Sequence, residues 1–193
     1  MNKLLLAAAI TLSFSATAVE QACEMSFDAT TPTARFIDNN DGTVTDQATK
    51  LIWMRCSVGQ SWNNETKYCD GMPVTVFWQG ALQAADNARN NQANKLYHFA
   101  DKTNWRVPNI KELISIREQR CVYPAMNSVI FPNVDAIAQA EGGYSYLWSS
   151  TPVIADEGIM NLDVTAGAVV ASTSVVDYAR GVLLVADPAP EPE

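Results

Sequence analysis

The sequence predicts one α+β domain with an N-terminal β-hairpin, two main helices and a β-rich C-terminal third. Three observations predict it. Asn40-Asp41-Gly42-Thr43 is a turn signal between short apolar runs, because Asn, Asp and Gly accept positive φ. Two segments, Phe77 to Arg89 and Asn109 to about Gln119, repeat apolar residues at helical spacing. Beyond Tyr146 apolar runs are broken at Gly158, Gly167 and Gly181, the pattern of strands and turns. The 193 residues, 48% of them hydrophobic, suffice for one core, and no linker or internal repeat divides them.

The first element is a targeting segment. Lys3, the apolar run Leu4 to Phe14 and Ala16-Thr17-Ala18 read as a signal peptide over residues 1–18, with cleavage before Val19. The run is short for a bilayer span, and Glu20 fits poorly in a lipobox ahead of Cys23. The domain is expected over 19–186, with no membrane span. The acidic, Pro-rich tail 187–193 is expected to be disordered.

Arg35-Phe36-Ile37 begins the hairpin and Val44 lies in its return strand. A second turn at Asp46 to Thr49 leads to Leu51-Ile52-Trp53-Met54, a buried strand. The acids from Asp38 to Asp46 do not form an EF-hand: with Gly42 at its sixth place, the first ligand position falls on Ile37. The first helix sets Trp78, Ala81, Leu82, Ala85 and Ala88 on one face. Trp105-Arg106-Val107-Pro108 is extended, as residues before Pro tend to be. Asn109 then caps the second helix, with Glu112 completing a capping box. That helix buries Ile110, Leu113, Ile114 and Ile116. A short helix at Asp135 to Ala140 and a breaker at Gly142-Gly143 precede four strands. These are Tyr146–Ser150, Ile159–Val164, Ala168–Thr173 and Ala179–Val185.

Four cysteines in an exported chain allow three pairings. Cys56 and Cys69 flank one polar loop and pair locally, which leaves Cys23 to pin the N-terminal arm to Cys121 at the end of the second helix. With a single His, His98, and no C-x-x-C, no metal site is expected. Thirteen basic against twenty-one acidic residues give a net charge of -8, against a nucleic-acid partner. No G-x-S-x-G surrounds Ser149-Ser150 and no Gly-rich phosphate loop follows a strand. No catalytic residue and no cofactor are therefore expected.

Trp53, Trp78, Trp105 and Trp148 read as core aromatics, and Arg106 as half of a structural charge pair. Trp62 differs, because nothing periodic buries it within the polar loop. It reads as an exposed anchor for a sugar or protein, with Tyr68 beside it. Tyr144 and Tyr146 flank a turn and are further ligand candidates. Charge is lopsided: residues 89–120 carry seven basic and three acidic residues, whereas 133–193 carry nine acids and only Arg180. That asymmetry suits head-to-tail association or a charged partner.

Five segments in order carry a resemblance. They are Phe36 to Asp46, Leu51-Ile52-Trp53-Met54-Arg55-Cys56, Trp78-Gln79-Gly80-Ala81-Leu82, Asn104 to Leu113 through Trp105, Arg106, Pro108 and Glu112, and Tyr146-Leu147-Trp148-Ser149-Ser150-Thr151. Together they resemble the Lcl C-terminal domain family, named for a collagen-like protein of Legionella. The resemblance implies a bacterial exported or surface domain with a C-type-lectin-like fold. It also implies an adhesin-like role on a glycan. No Gly-X-Y stalk is present, and the usual Glu-Pro-Asn or Gln-Pro-Asp calcium signature is absent: Val107-Pro108-Asn109 has Val where the acid belongs. The expected function is a non-catalytic binding module for a glycan or surface protein, in the periplasm, on the cell surface or outside the cell. The alternative is a self-associating structural subunit of a pilus or filament.

Overall fold

A computed structural model describes residues 20–141, 145–153, 158–172 and 178–188. The signal segment, Tyr144, the Gly142-Gly143 breaker and most of the expected tail lie outside the described residues. Described strands are β1 (Ala22–Cys23), β2 (Phe36–Asp38), β3 (Thr43–Asp46), β4 (Ile52–Met54), β5 (Ser61–Asn63) and β6 (Tyr68–Asp70). Helices α1 (Trp78–Asn90) and α2 (Ile110–Ser115) follow, then β7 (Cys121–Val122) and helix α3 (Ala136–Glu141). The chain ends in β8 (Tyr146–Val153), β9 (Gly158–Asp163), β10 (Val169–Ser172) and β11 (Val185–Ala186).

The main sheet is four-stranded and antiparallel, in the order β11-β4-β3-β2. The predicted hairpin forms with Phe36 opposite Asp46 and Asp38 opposite Val44. Its turn uses positive φ at Asn40 (61°) and Gly42 (87°). Arg35 grips Asp46 through two bonds of 2.7 and 2.6 Å and fixes the base of the hairpin. A second sheet, β10-β9-β8, is a meander with a register shift between Trp148 and Pro152.

Two apolar clusters fill the interior. In the first, Phe131 meets the rings of Phe36 and Trp53 edge-on at 5.9 and 6.4 Å, above Leu113 and Leu162. In the second, α1 lays Ala81, Ala85 and Ala88 against Trp105, Trp148 and Leu184. Those small side chains let the helix axis approach the indoles closely. Trp53, Trp105 and Trp148 are fully buried, and each contributes about 3 kcal/mol through burial of its apolar area. Trp78 is half-buried; its indole donates to the Ser149 carbonyl at 3.1 Å.

Arg106 ties three segments together. Its guanidinium takes both Glu112 oxygens at 2.8 Å and an Asp187 oxygen at 2.6 Å. Glu112 foremost, then Asp187, hold it charged well above the ordinary arginine value. Glu112 also closes the capping box with Asn109, so one carboxylate starts α2 and anchors Arg106. Asp187, placed in the tail by the sequence reading, is held here, and Arg106 in turn keeps its carboxyl below the usual range.

Three expectations are corrected. Helix α2 stops at Ser115, well before Gln119, because Arg117 and Glu118 leave for tertiary partners. Arg117 bridges Met126, and the Glu118 amide donates to Ala125 at 3.0 Å. The Cys56 to Cys69 stretch is a hairpin of β5 and β6 rather than a plain loop. Ala179 to Val185 is not one strand: Arg180 and Gly181 make single bridges to Val76 and Leu147, and only Val185–Ala186 joins a sheet.

Both disulfides form. Cys56 joins Cys69, and Cys23 joins Cys121 across the β1–β7 pair. Among the described residues no helix is long and apolar enough to cross a membrane.

Candidate functional site

Four loop and strand segments, β5 of the β5–β6 hairpin among them, line a cavity of about 280 Å³. The hairpin turn brings Asp41 and Gly42; the segment after β4 brings Cys56, Ser57, Val58 and Gln60. Strand β5 adds Ser61 and Trp62, and the loop after α1 adds Lys95, Leu96 and Phe99. The Cys56–Cys69 bond fixes the hairpin that helps to line this space.

Trp62 is the part of this wall that the sequence flagged, but its setting is corrected. It is half-buried rather than freely exposed. The Arg55 guanidinium covers its ring at 3.9 Å from the centroid. Arg55 is itself held rigidly, by Ile130 and Val129 carbonyls at 3.0 and 2.7 Å and by Asp38 at 3.1 Å. Burial draws its pKa down, with Asp38 opposing. Trp62 therefore stands as a braced wall rather than a mobile anchor.

The opposite wall depends on an unusual backbone. His98, Ala100 and Asp101 all have positive φ, at 49, 53 and 58°. Each left-handed non-glycine residue costs about 1 kcal/mol. The conformation is held by the Trp105 indole, which donates to the Phe99 carbonyl at 2.9 Å, and by the His98 amide on Ala88 at 2.8 Å. The result presses Phe99 onto the hairpin turn. A Cβ on Gly42 would lie 2.9 Å from Phe99 Cζ and 3.0 Å from Trp62 Cβ, so glycine is required there twice, for φ and for space.

Tyr68 and Tyr146 do not join this cavity. Tyr68 is exposed on β6, opposite Asn63, and is absent from the lining. Tyr146 lies in β8 with the Arg180 guanidinium 4.1 Å above its ring. Tyr144 is outside the described residues. Sequence reasoning missed Lys95, Leu96 and Phe99, which lie in a loop with no periodic signal. Ser57 and Gln60 fall within the loop around residues 56 to 70 where the sequence places ligand contact, though nothing local singles them out. Among the described residues no group of three or more His, Cys, Asp and Glu is placed to hold a metal ion.

The arrangement defines a class: a small α+β module of antiparallel sheets, locked by two disulfides and carrying a cavity lined in part by a stapled hairpin. Residues 42–185 match the model of the Lcl C-terminal domain, and the chain belongs to that family. No curated protein and no solved structure matches the chain.

Proposed function

We propose that the protein is an exported, non-catalytic binding module with a C-type-lectin-like fold, taking a glycan or a protein segment at the bacterial cell surface or in the periplasm. The observation that carries this reading is the cavity bounded by Trp62, Phe99, Gly42 and Ser57. Rigid supports hold its walls, as expected of a preorganised ligand site. Family membership and the two disulfides support the reading and its exported setting. A glycan array probed with the chain and with Trp62→Ala, which removes one wall of the cavity, tests it. Retention of a defined glycan set by the chain and its loss in the variant is the expected outcome. Identical profiles would sink the reading.

A second reading, a subunit of a surface assembly, is favoured by one observation. Met25 and Phe27, on the arm next to Cys23, are 73% and 66% exposed. Light scattering across concentration checks it: growth in mass that Phe27→Ser abolishes supports assembly, and a constant mass removes it.

A further inference from the structure

Among the described residues the two larger sheets end in β11, β2, β8 and β10, and three of these edges are guarded. An open edge is a template for another strand, so folds cover it, pair it or charge it. Arg106 closes β11: its amide donates to the Val185 carbonyl at 2.9 Å, and its carbonyl accepts from Val185 at 3.0 Å. Gly181 and Pro108 close β8, accepting from Trp148 at 3.1 Å and from Ser150 at 2.8 Å. Strand β2 is bracketed by Arg35 and Asp38, and Asp38 holds Arg55 and Lys67 at 3.1 and 3.7 Å.

Strand β10 has none of these devices. Its register against β9 shows which groups face outward. The Asp163 amide donates to the Ala168 carbonyl at 2.8 Å, so 163 and 168 form a bonded pair. Bonded pairs alternate along an antiparallel ladder, which makes Asn161–Val170 and Ile159–Ser172 the next ones. Val169 and Ala171 fall between them and turn their N–H and C=O groups away from β9. Among the described residues none of those four groups has a hydrogen bond. Both side chains are exposed, Val169 to 40%. The sequence around them, from Val164 to Val176, carries no charge and no proline.

We infer that β10 pairs edge to edge with β10 of a second copy, antiparallel about a two-fold axis at Val170. The inference goes beyond the binding-module reading and does not depend on it. A second copy fits because the edge is its own complement. Val169 meets Ala171 of the second copy and Ala171 meets its Val169, so the four outward groups on each side are matched by four bonds. The larger side chain faces the smaller one across the seam. Charge points to the same place: two copies with a net charge of -8 repel, and this strip lets them meet without facing acids. The two meanders become one six-stranded sheet, and the two-fold closes the assembly at a dimer. A seam this short lies below the standard interface size, so dissociation on the order of 0.1 mM is expected.

The test is sedimentation of the disulfide-bonded chain across concentration, with residue-level hydrogen exchange above and below the transition. The mass is expected to double, and the amides of Val169 and Ala171 to slow several-fold on doubling, while that of Val170 stays protected throughout. Ala171→Pro removes an outward N–H that the ladder does not use, at an edge position that tolerates proline. Val169→Lys adds the usual edge guard. Both are expected to stay monomeric and to melt like the dilute parent. A monomer at every concentration would overturn the inference, as would a dimer that survives both variants. If neither variant folds, exchange in the parent decides: free exchange at Val169 and Ala171 within a dimer overturns it. Growth past a dimer that Phe27→Ser abolishes, with those amides exchanging freely, overturns it and supports the subunit reading instead. A blank glycan array with slowed amides sinks only the binding-module reading and supports the dimer.

Discussion

Around Cys23–Cys121 polar side chains close on one another; around Cys56–Cys69 two of them stay open. At the first staple, Glu118 Oε2 accepts from the amide and hydroxyl of Thr31 at 2.9 and 3.0 Å, and Oε1 accepts from Thr30 and Arg120. Two orphaned atoms lie nearby, Nε of Arg117 and of Arg120. Each belongs to a guanidinium whose Nη1 is bonded, to Gly167 and Phe27 respectively. At the second staple, Ser57 Oγ and Trp62 Nε1 are each the side chain's sole polar atom, and neither has a hydrogen-bond partner among the described residues. The difference teaches that a disulfide can do two jobs in one fold: at one place it seals an arm to the body, and at the other it fixes a hairpin that lines a cavity.

The strongest way to break the comparison is to remove each bond. The Cys23–Cys121 bond closes a separation of 98 residues and Cys56–Cys69 one of 13. In the chain-entropy account the long closure is worth nearly 5 kcal/mol (about 4.7) and the short one about 3. Urea melts of the two paired Cys→Ala variants are expected to rank in that order, with sugar binding lost only in the second. The opposite order would mean that the hairpin, not the arm, holds the fold.

Next in size is the buried carboxylate of the first region. Burial raises the Glu118 pKa, but the amides of Thr31 and Thr30, the Thr31 hydroxyl and the Arg120 amide together outweigh it and hold the group below its usual value. A depressed carboxylate gives stability above its unfolded pKa and loses it as pH falls through the folded value. Glu118→Gln is therefore expected to cost about 2 kcal/mol near neutral pH, the scale of hydrogen bonds to a charged group. The gap to the parent should close as pH falls through the lowered folded value of Glu118. Urea midpoints across pH check this, and a gap that persists in acid would refute it.

Smaller effects sharpen the second region. Gly42→Ala places a Cβ 2.9 Å from Phe99 at a φ of 87°. It is expected to lower stability by about 1–2 kcal/mol in thermal melts and to narrow the cavity. Smallest in loss, Ser57→Ala removes a buried, unpartnered hydroxyl and should leave stability unchanged or raise it by about 1 kcal/mol. A large loss would reveal a hidden partner for that oxygen and erase the contrast between the two staples.

Local chemistry explains what was legible beforehand. The Asn40 to Gly42 turn, the Asn109–Glu112 box and the short Cys pairing are all written within about a dozen residues of sequence. Arg106 was legible as half of a pair, because Glu112 follows it at close range. What the sequence hid was long-range. Glu118 sits at the end of a helical pattern, yet its carboxylate serves Thr30 and Thr31, 87 or 88 positions earlier. Arg55 follows a buried strand with no local sign of its partners, yet it braces Trp62. Phe99 reaches the cavity only through left-handed backbone at His98 and Ala100, which no propensity favours.

The β11–β4 pairing sets an order of events during synthesis. Strand β4 emerges early, but Val185 and Ala186, which complete its open edge, are nearly the last described residues to appear. At about 5–20 residues per second the edge waits on the order of ten seconds. Throughout that interval the Trp53 strand is an uncovered template for its own neighbours. Until β11 arrives, pairing between emerging chains is expected at this edge of β4.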